Sequence, residues 1–150
     1  MTGSQAASET RTTSVVVRVL LGVLAVSEAV IGGWALFAPA SFYRSFPTVG
    51  HAWVSLLPPY NEHLVRDVGS LSLALAVVLG AATLTGQRLL SGVAVGAFAV
   101  YAVSHTIFHS FHLEGFSTAD AVAQTVGFVL QLLGAGVVAW LLWRDRGSTD

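Results

Sequence analysis

Cysteine and lysine are both absent from this chain of 150 residues, and charged residues of either sign are scarce. Without cysteine there is no disulfide, no thiolate nucleophile, no iron–sulfur cluster and no cysteine-bound zinc, so any metal would need histidine, aspartate or glutamate. Seven arginines against eight acidic residues give a net charge of -1 at pH 7. Because the arginines are scattered and form no basic patch, nucleic-acid binding is set aside as a function class.

Hydrophobic residues are abundant instead. They make up 54% of the chain, charged residues make up only 10%, and the mean hydropathy is +0.72. These values are typical of a membrane protein. Four stretches can each cross a hydrocarbon layer about 30 Å thick, which takes roughly 20 residues of helix. The predicted helices cover about 15–38, 61–85, 89–112 and 118–143. The predicted fold class is therefore all-α, an integral membrane four-helix bundle.

The segments outside these helices differ in composition. Residues 1–13 are predicted to be a disordered polar tail, residues 14–146 the four-helix domain, and residues 147–150 a second short tail. Pro39 ends the first helix, and residues 39–60 that follow are rich in aromatic side chains. Aromatic residues suit the headgroup level of a bilayer. We therefore expect residues 39–60 to be an interfacial loop that covers the bundle as a lid.

Arginine placement predicts the orientation, because positive charge near helix ends tends to stay in the cytoplasm. If all four helices span the bilayer, one side of the membrane receives most of the arginines: Arg11, Arg18, Arg88, Arg144 and Arg146. Both termini are then cytoplasmic, while residues 39–60 and 113–120 face outward.

The end of the third predicted helix carries three of the five histidines. At about 100° per residue, four ring-bearing side chains form one stripe along a helix face: Tyr101, His105, His109 and His112. Titratable rings are costly to place against lipid, so this stripe should face the interior of the bundle.

The predicted topology collects further polar residues at the same outer end. They lie at the start of the second helix, the end of the third and the start of the fourth: Glu62, His63, Arg66, Asp67, His105, His109, His112 and Asp120. Roughly 15 Å deeper, Glu28, Tyr101 and Gln131 would form the floor of the same cavity. The sequence therefore predicts an outward-facing polar pocket built from the second and third helices.

A metal site is one interpretation of this pocket. The candidate ligands are the histidine and acidic side chains of the two helices: His105, His109, His112, Glu62, His63 and Asp67. His105 and His112 lie about 10 Å apart along a straight helix, so one ion would take His109 with only one of them. Such nitrogen and oxygen ligands suit a divalent zinc, iron or copper ion, and haem is a further alternative.

A metal-free pocket is the second interpretation. His105 or His109 would be the catalytic acid or base, oriented by Asp67. A redox ligand such as a quinone would contact four other residues: Tyr101, Glu28, Arg66 and Gln131. No motif indicates a reaction class, so the sequence leaves open whether the protein is an enzyme.

A structural interpretation competes with both. Glu62 and Arg66 have the spacing of a helical ion pair, and Asp120 has that of a capping box. Gln124 and Gln131 would then be interhelical hydrogen-bonding residues. On this interpretation the protein is a non-enzymatic membrane subunit whose polar cluster fastens the bundle or a partner.

Two stretches carry a family resemblance. The order of four short apolar helices, with the segment from Pro58 to Asp67 and the later His105-x3-His109-x2-His112, resembles small bacterial membrane proteins of the DoxX-like group. The resemblance implies a multi-pass protein of the bacterial inner membrane and hints at quinone-linked redox chemistry. The expected partners are the lipid bilayer, a small hydrophobic ligand and a membrane partner subunit, with a homo-oligomer as a further alternative.

Overall fold

The computed structural model describes residues 13–57 and 59–145, and in these residues the chain is all-α without a β-strand. Five α-helices follow one another within these described residues: α1 (Val15–Phe37), α2 (Pro39–Ser45), α3 (Glu62–Thr85), α4 (Arg88–Ser110) and α5 (Thr118–Arg144). A single 3-10 turn covers Val54–Leu56. Within the described residues, four helices are long and apolar enough to cross a membrane, namely α1, α3, α4 and α5. The predicted all-α class and the four long apolar helices are thereby confirmed.

Local sequence sets the helix ends. The side chains of Ser14, Asn61 and Ser117 each accept a backbone N–H from the first turn of α1, α3 and α5, respectively. Gly86 ends α3 in the left-handed conformation with φ of 63°, which glycine adopts without strain. This cap allows α4 to start only two residues later, so α3 and α4 form a tight antiparallel pair.

The four long helices run alternately up and down. The N–H of Thr13 donates to the Gly86 carbonyl at 2.7 Å, which places the start of α1 beside the α3–α4 turn. Arg88 donates to the Leu142 carbonyl near the end of α5. We call this end of the bundle the closed end. The opposite end, where residues 39–60 and 111–117 connect the helices, is called the lid end.

Helices α1 and α3 make the most extensive contact in the bundle. They cross at two glycines whose backbones touch the facing helix. A Cβ added at Gly69 would lie 2.5 Å from the backbone nitrogen of Leu36, and one added at Gly32 would lie 2.8 Å from the Gly69 carbonyl oxygen. Only glycine permits such an approach, which is a common way for membrane helices to pack.

The filled apolar core lies toward the closed end. It combines the first half of α1, the second half of α3 and α5, and α4 as far as Ala102: Val17, Leu21, Leu24, Ala25, Leu79, Ala82, Ala94, Val95, Phe98, Ala102, Ala135, Val138 and Leu142. The outer faces of the same helices are also apolar, as Val19, Val23, Val26 and Val30 of α1 show. A bundle that is apolar on both sides suits lipid rather than water.

The structure differs from the sequence prediction in residues 39–60, which were expected to be a loop. They contain α2 and the 3-10 turn, because Pro39 fits the first position of a helix and Phe42 is buried against Trp34 of α1. Helix α4 ends at Ser110 rather than at 112, and α5 continues to Arg144. The predicted tails, apart from Thr13, lie outside the described residues.

Candidate ligand-binding cavity

A cavity of about 580 Å³ opens at the lid end. All four long helices and residues 39–60, here called the lid, contribute to its wall. Most of the lining is aliphatic or aromatic, and the polar or partly polar members are few: Tyr43, Trp53, Asn61, Tyr101, His105, His109, Gln124 and Gln131. The size and this composition match small-molecule sites, which are commonly 300–1,000 Å³ and mostly apolar, with a few polar groups that orient the ligand.

The wall formed by α4 carries three of the sequence-predicted residues. Tyr101 stacks on His105 with ring centroids 5.2 Å apart, and the His105 and His109 rings are 4.5 Å apart. Phe128 of α5 packs against both imidazoles at 5.2 and 5.1 Å. The i,i+4 spacing of the helix thus turns one continuous row of rings toward the cavity, on the face that the helical stripe predicts.

Two buried polar atoms of the cavity wall have no hydrogen-bond partner. They are the Nδ1 of His109 and the Nε2 of Gln124. Gln124 is only 3% exposed. A buried polar atom without a partner costs about 1–3 kcal/mol, so such atoms usually have a partner in the working state of the protein. Both atoms belong to residues that line the cavity, so a bound molecule is a candidate partner for each.

The sequence predicts that Gln124 is a hydrogen-bonding residue between helices. The structure instead places it in the cavity wall, which the sequence reasoning did not predict. The signal was present in the sequence. Gln124 lies on one stripe of α5 with Gly127 and Gln131, and all three line the cavity. Without the position of α4, however, the sequence does not show whether this stripe meets another helix or an open space.

Glu28 lies beneath the cavity rather than in its wall. It is only 1% exposed, faces Ser72 of α3 and lies close enough to Tyr101 to interact with it electrostatically. Its Oε2 has no hydrogen-bond partner. Tyr101 and Gln131 do line the cavity, so two of the three predicted floor residues contact the open space and Glu28 does not.

The lid is held together by aromatic contacts. Phe42 and Phe46 pack with ring centroids 4.8 Å apart, and Phe46 meets Trp53 edge-to-face at 6.2 Å. Trp53 also contacts Phe116, which precedes α5, at 6.4 Å. Because Phe42, Phe46 and Trp53 all line the cavity, the lid forms part of its wall.

Asp120 fastens this lid to α5. Its Oδ1 lies 2.6 Å from Nδ1 of His51 and accepts the indole N–H of Trp53 at 2.9 Å. Its Oδ2 accepts the Ser117 hydroxyl at 2.7 Å, and its backbone N–H donates to the same hydroxyl oxygen. Ser117 caps α5 as the predicted capping box requires, while the Asp120 carboxylate accepts the Ser117 hydroxyl, and the lid contact is an addition that spacing along the chain does not reveal.

The polar residues that open α3 do not line the cavity. Arg66 pairs with Glu62 at 2.8 Å and also donates to the Leu36 carbonyl at the end of α1. His63 and Asp67 pair at 2.9 Å on an exposed surface. The face of α3 that meets the cavity carries the apolar residues Leu64, Val65 and Val68. Arg66 was predicted to contact the ligand and Asp67 to orient His105 or His109. Neither residue lines the cavity, because both lie on other faces of α3.

The predicted metal ligands are not assembled as one site. His112 stacks on Phe108 at 4.0 Å between ring centroids, and its Nδ1 lies 2.7 Å from the Phe108 carbonyl oxygen. His105 and His109 lie in the cavity, while Glu62, His63 and Asp67 pair along α3. Over the part of the chain that the structure describes, no three histidine or acidic side chains could hold one metal ion.

No known protein family matches the chain, and no curated protein or solved structure is significantly similar to it. The resemblance to DoxX-like proteins stays a prediction from the two stretches that carry it.

Proposed function

We propose that this chain is an integral membrane protein that binds a small membrane-soluble ligand, with a quinone as the leading candidate, in the lid-end cavity. The observation that carries this proposal is the combination of an apolar cavity of about 580 Å³ with two unpartnered buried polar atoms, on His109 and Gln124. An apolar wall favours a ligand drawn from lipid, and the polar atoms require that the ligand carries at least one hydrogen-bonding group.

The surface of the bundle supports a place in the membrane. Large apolar side chains are exposed along each long helix, for example Val30 of α1, Val77 of α3, Val100 of α4 and Leu130 of α5. Arg18, Arg88 and Arg144 lie at the closed end, which makes that end the cytoplasmic side under the positive-inside rule. In this orientation the cavity and its lid face the outer leaflet of a cell membrane.

His105 and His109 give the cavity its chemical character. A neutral imidazole has one donor and one acceptor nitrogen, so either ring can donate to a ligand oxygen or accept from a ligand hydroxyl. The same rings are the acid–base candidates if the bound molecule reacts. Tyr101 and Gln131 extend the polar row below them.

Tryptophan fluorescence offers a direct test, since Trp53 lines the cavity and Trp140 lies near the closed end. Two single-tryptophan proteins are compared, one keeping Trp53 and one keeping Trp140, with phenylalanine at the other three positions. Decyl-benzoquinone, a quencher, is added at known mole fraction in detergent. We expect the quenching of Trp53 to saturate as the cavity fills. The quenching of Trp140 should rise only linearly with the mole fraction of quinone, because it comes from quinone dissolved in the detergent. Linear quenching of both tryptophans would reject the proposal.

The metal and haem alternatives are tested separately. A metal ion would require a third protein ligand that the described residues do not bring to His105 and His109, whereas haem would need only one or two axial ligands. Metal analysis and an absorption spectrum of the purified wild type, His105→Ala and His109→Ala distinguish them from a quinone site. A stoichiometric metal or a haem band that disappears in both variants would favour the metal interpretation. If the purified protein carries no metal and no chromophore and does not bind the quinone, the result would favour the non-enzymatic subunit.

A further inference from the structure

We propose that the ligand is electrically neutral and presents a carbonyl-type oxygen to the side-chain amide of Gln124. This inference rests on the proposed function and names the chemical class of molecule that the same cavity accepts.

The charge of the cavity wall gives the first step. None of the described lining residues is an arginine, aspartate or glutamate, and the chain contains no lysine. The nearest candidate cation along α3, Arg66, is engaged by Glu62 and by the Leu36 carbonyl. A fatty-acid carboxylate or a lipid phosphate buried in this cavity would meet no arginine or lysine in the described wall, and only protonation of His105 or His109 could balance its charge, which is costly in a low-dielectric site. The wall therefore selects a neutral molecule.

The hydrogen-bonding inventory gives the second step. The Nε2 of Gln124 is a donor and cannot accept, so its missing partner is an acceptor. Among neutral membrane-soluble groups, a carbonyl oxygen is a strong acceptor that brings no donor needing a partner of its own. Gln124 lies one helical turn after Asp120, so this oxygen would sit just beneath the point where the lid is fastened.

The rings around Gln124 give the third step. Phe108 of α4, Phe128 of α5 and Trp53 of the lid all line the same cavity. Aromatic side chains favour flat, apolar partners through edge and face contacts. His109, whose Nδ1 also lacks a partner, supplies a second polar contact from the opposite helix. A quinone or a long-chain ketone meets these demands, whereas an ionised fatty acid fails on charge, a protonated one brings an extra donor that needs a partner, and an alkane fails on hydrogen bonding.

The test uses three probes of equal chain length in competition with decyl-benzoquinone: 2-tridecanone, tridecanoate and tridecane. Quenching of Trp53 reports the competition, and concentrations are expressed as mole fraction in detergent so that partitioning cancels. Since one hydrogen bond contributes on the order of 1.4 kcal/mol, or a factor of about ten in affinity, we expect the ketone to compete about tenfold better than the other two probes. Equal competition by the carboxylate would overturn the inference.

Gln124→Leu removes the donor while keeping the side-chain volume similar, and Gln87→Leu, at the start of α4 and outside the cavity wall, is the matched control. We expect Gln124→Leu to bind 2-tridecanone about tenfold more weakly, to bind tridecane no more weakly than the wild type, and to have a higher Tm without ligand. Gln87→Leu should keep the wild-type preference for the ketone. Unchanged ketone binding by Gln124→Leu would overturn the inference, and Gln124→Met repeats the test if the leucine variant misfolds. Failure of the quinone itself to bind the wild type would instead reject the proposed function.

Discussion

The two ends of the bundle are built from the same four helices but are packed in opposite ways. At the closed end, side chains such as Leu21, Leu79, Phe98 and Val138 are completely buried against one another. At the lid end, the helices surround a cavity of about 580 Å³ that is completed by residues 39–60. One end supplies stability, and the other supplies a space in which a molecule can be held.

This contrast also explains where polar residues are tolerated. The polar side chains of α4 and α5 that line the cavity, including His105, His109 and Gln124, all lie in the lid half of their helices. The buried polar residue of the closed half of α4, Ser91, is satisfied by its own helix through the Gln87 carbonyl at 2.9 Å. Among the described residues, two of the unpartnered buried polar atoms, on His109 and Gln124, belong to the cavity wall, whereas Oε2 of Glu28 lies outside it and Oγ1 of Thr13 lies at the closed end.

The largest effect on the free energy of unfolding is expected when one phenylalanine at each end of the bundle is replaced by alanine and the two losses are compared. Phe98→Ala removes a fully buried ring at the closed end and should lower the free energy of unfolding by about 3–5 kcal/mol. Phe128→Ala should cost less, because its ring already borders an open space. Reversible unfolding in mixed micelles measures both. A cost for Phe128→Ala equal to that of Phe98→Ala would show that the lid half is as tightly packed as the core.

The close crossing of α1 and α3 limits how loose the lid half can be. Gly69→Ala would bring a Cβ to 2.5 Å from the Leu36 backbone nitrogen, so the helices must separate. We expect a loss of about 1–3 kcal/mol in the free energy of unfolding. Gly80→Ala on the same helix is the control, because an added Cβ there meets nothing within 4 Å. If the two variants have the same Tm, the glycine crossing does not hold this pair together.

The attachment of the lid should be weaker than either helix contact. Asp120→Ala removes the acceptor of His51 and Trp53, and hydrogen bonds to a charged group are worth about 1.5–3 kcal/mol each before the released groups regain water. We expect hydrogen–deuterium exchange in residues 46–57 to become at least about tenfold faster while the closed end keeps its protection.

Asp67→Ala is the matched control for the lid variant, since it also breaks a His–Asp pair, but one that lies within a single helix. Exchange in the lid should not change in this control. Faster lid exchange in both variants would mean that charge, rather than the contact between the lid and α5, orders residues 46–57.

The smallest effect is expected on the exposed surface of α3. His63→Ala breaks the pair with Asp67, in which the histidine side chain is 83% exposed. Such pairs contribute about 0.2–0.5 kcal/mol, so the Tm should hardly move and quinone binding should stay at the wild-type level. A tenfold loss of binding in this variant would place the α3 cluster at the site and would restore the pocket predicted from the sequence.

The sequence predicts the long helices well because apolar length and capping residues are local properties. Ser14, Asn61 and Ser117 each cap a helix near its predicted start. The orientation of α4 is also readable, since a row of rings at i,i+4 spacing must share one face. These features depend on neighbours within about two turns.

The composition of the cavity wall was harder to predict because it depends on helix rotation. Glu62, His63, Arg66 and Asp67 lie at the expected end of α3, yet they pair along the helix while Leu64, Val65 and Val68 face the cavity. Polar residues at a helix start can satisfy one another without a tertiary site. The role of Asp120 in the lid likewise depends on a contact with residues about seventy positions earlier, which chain spacing does not encode.

Photo-crosslinking tests the central claim most directly, because it asks where in the protein a bound ligand lies. An azido-quinone is photolysed with the protein in lipid nanodiscs, and the modified residues are mapped by mass spectrometry with and without excess decyl-benzoquinone. We predict competed labelling at cavity residues such as Trp53 and Phe128, with only uncompeted labelling at Val122 and Val126, which are exposed on α5. Labelling confined to the exposed face, and not reduced by the competitor, would contradict a quinone site inside the bundle.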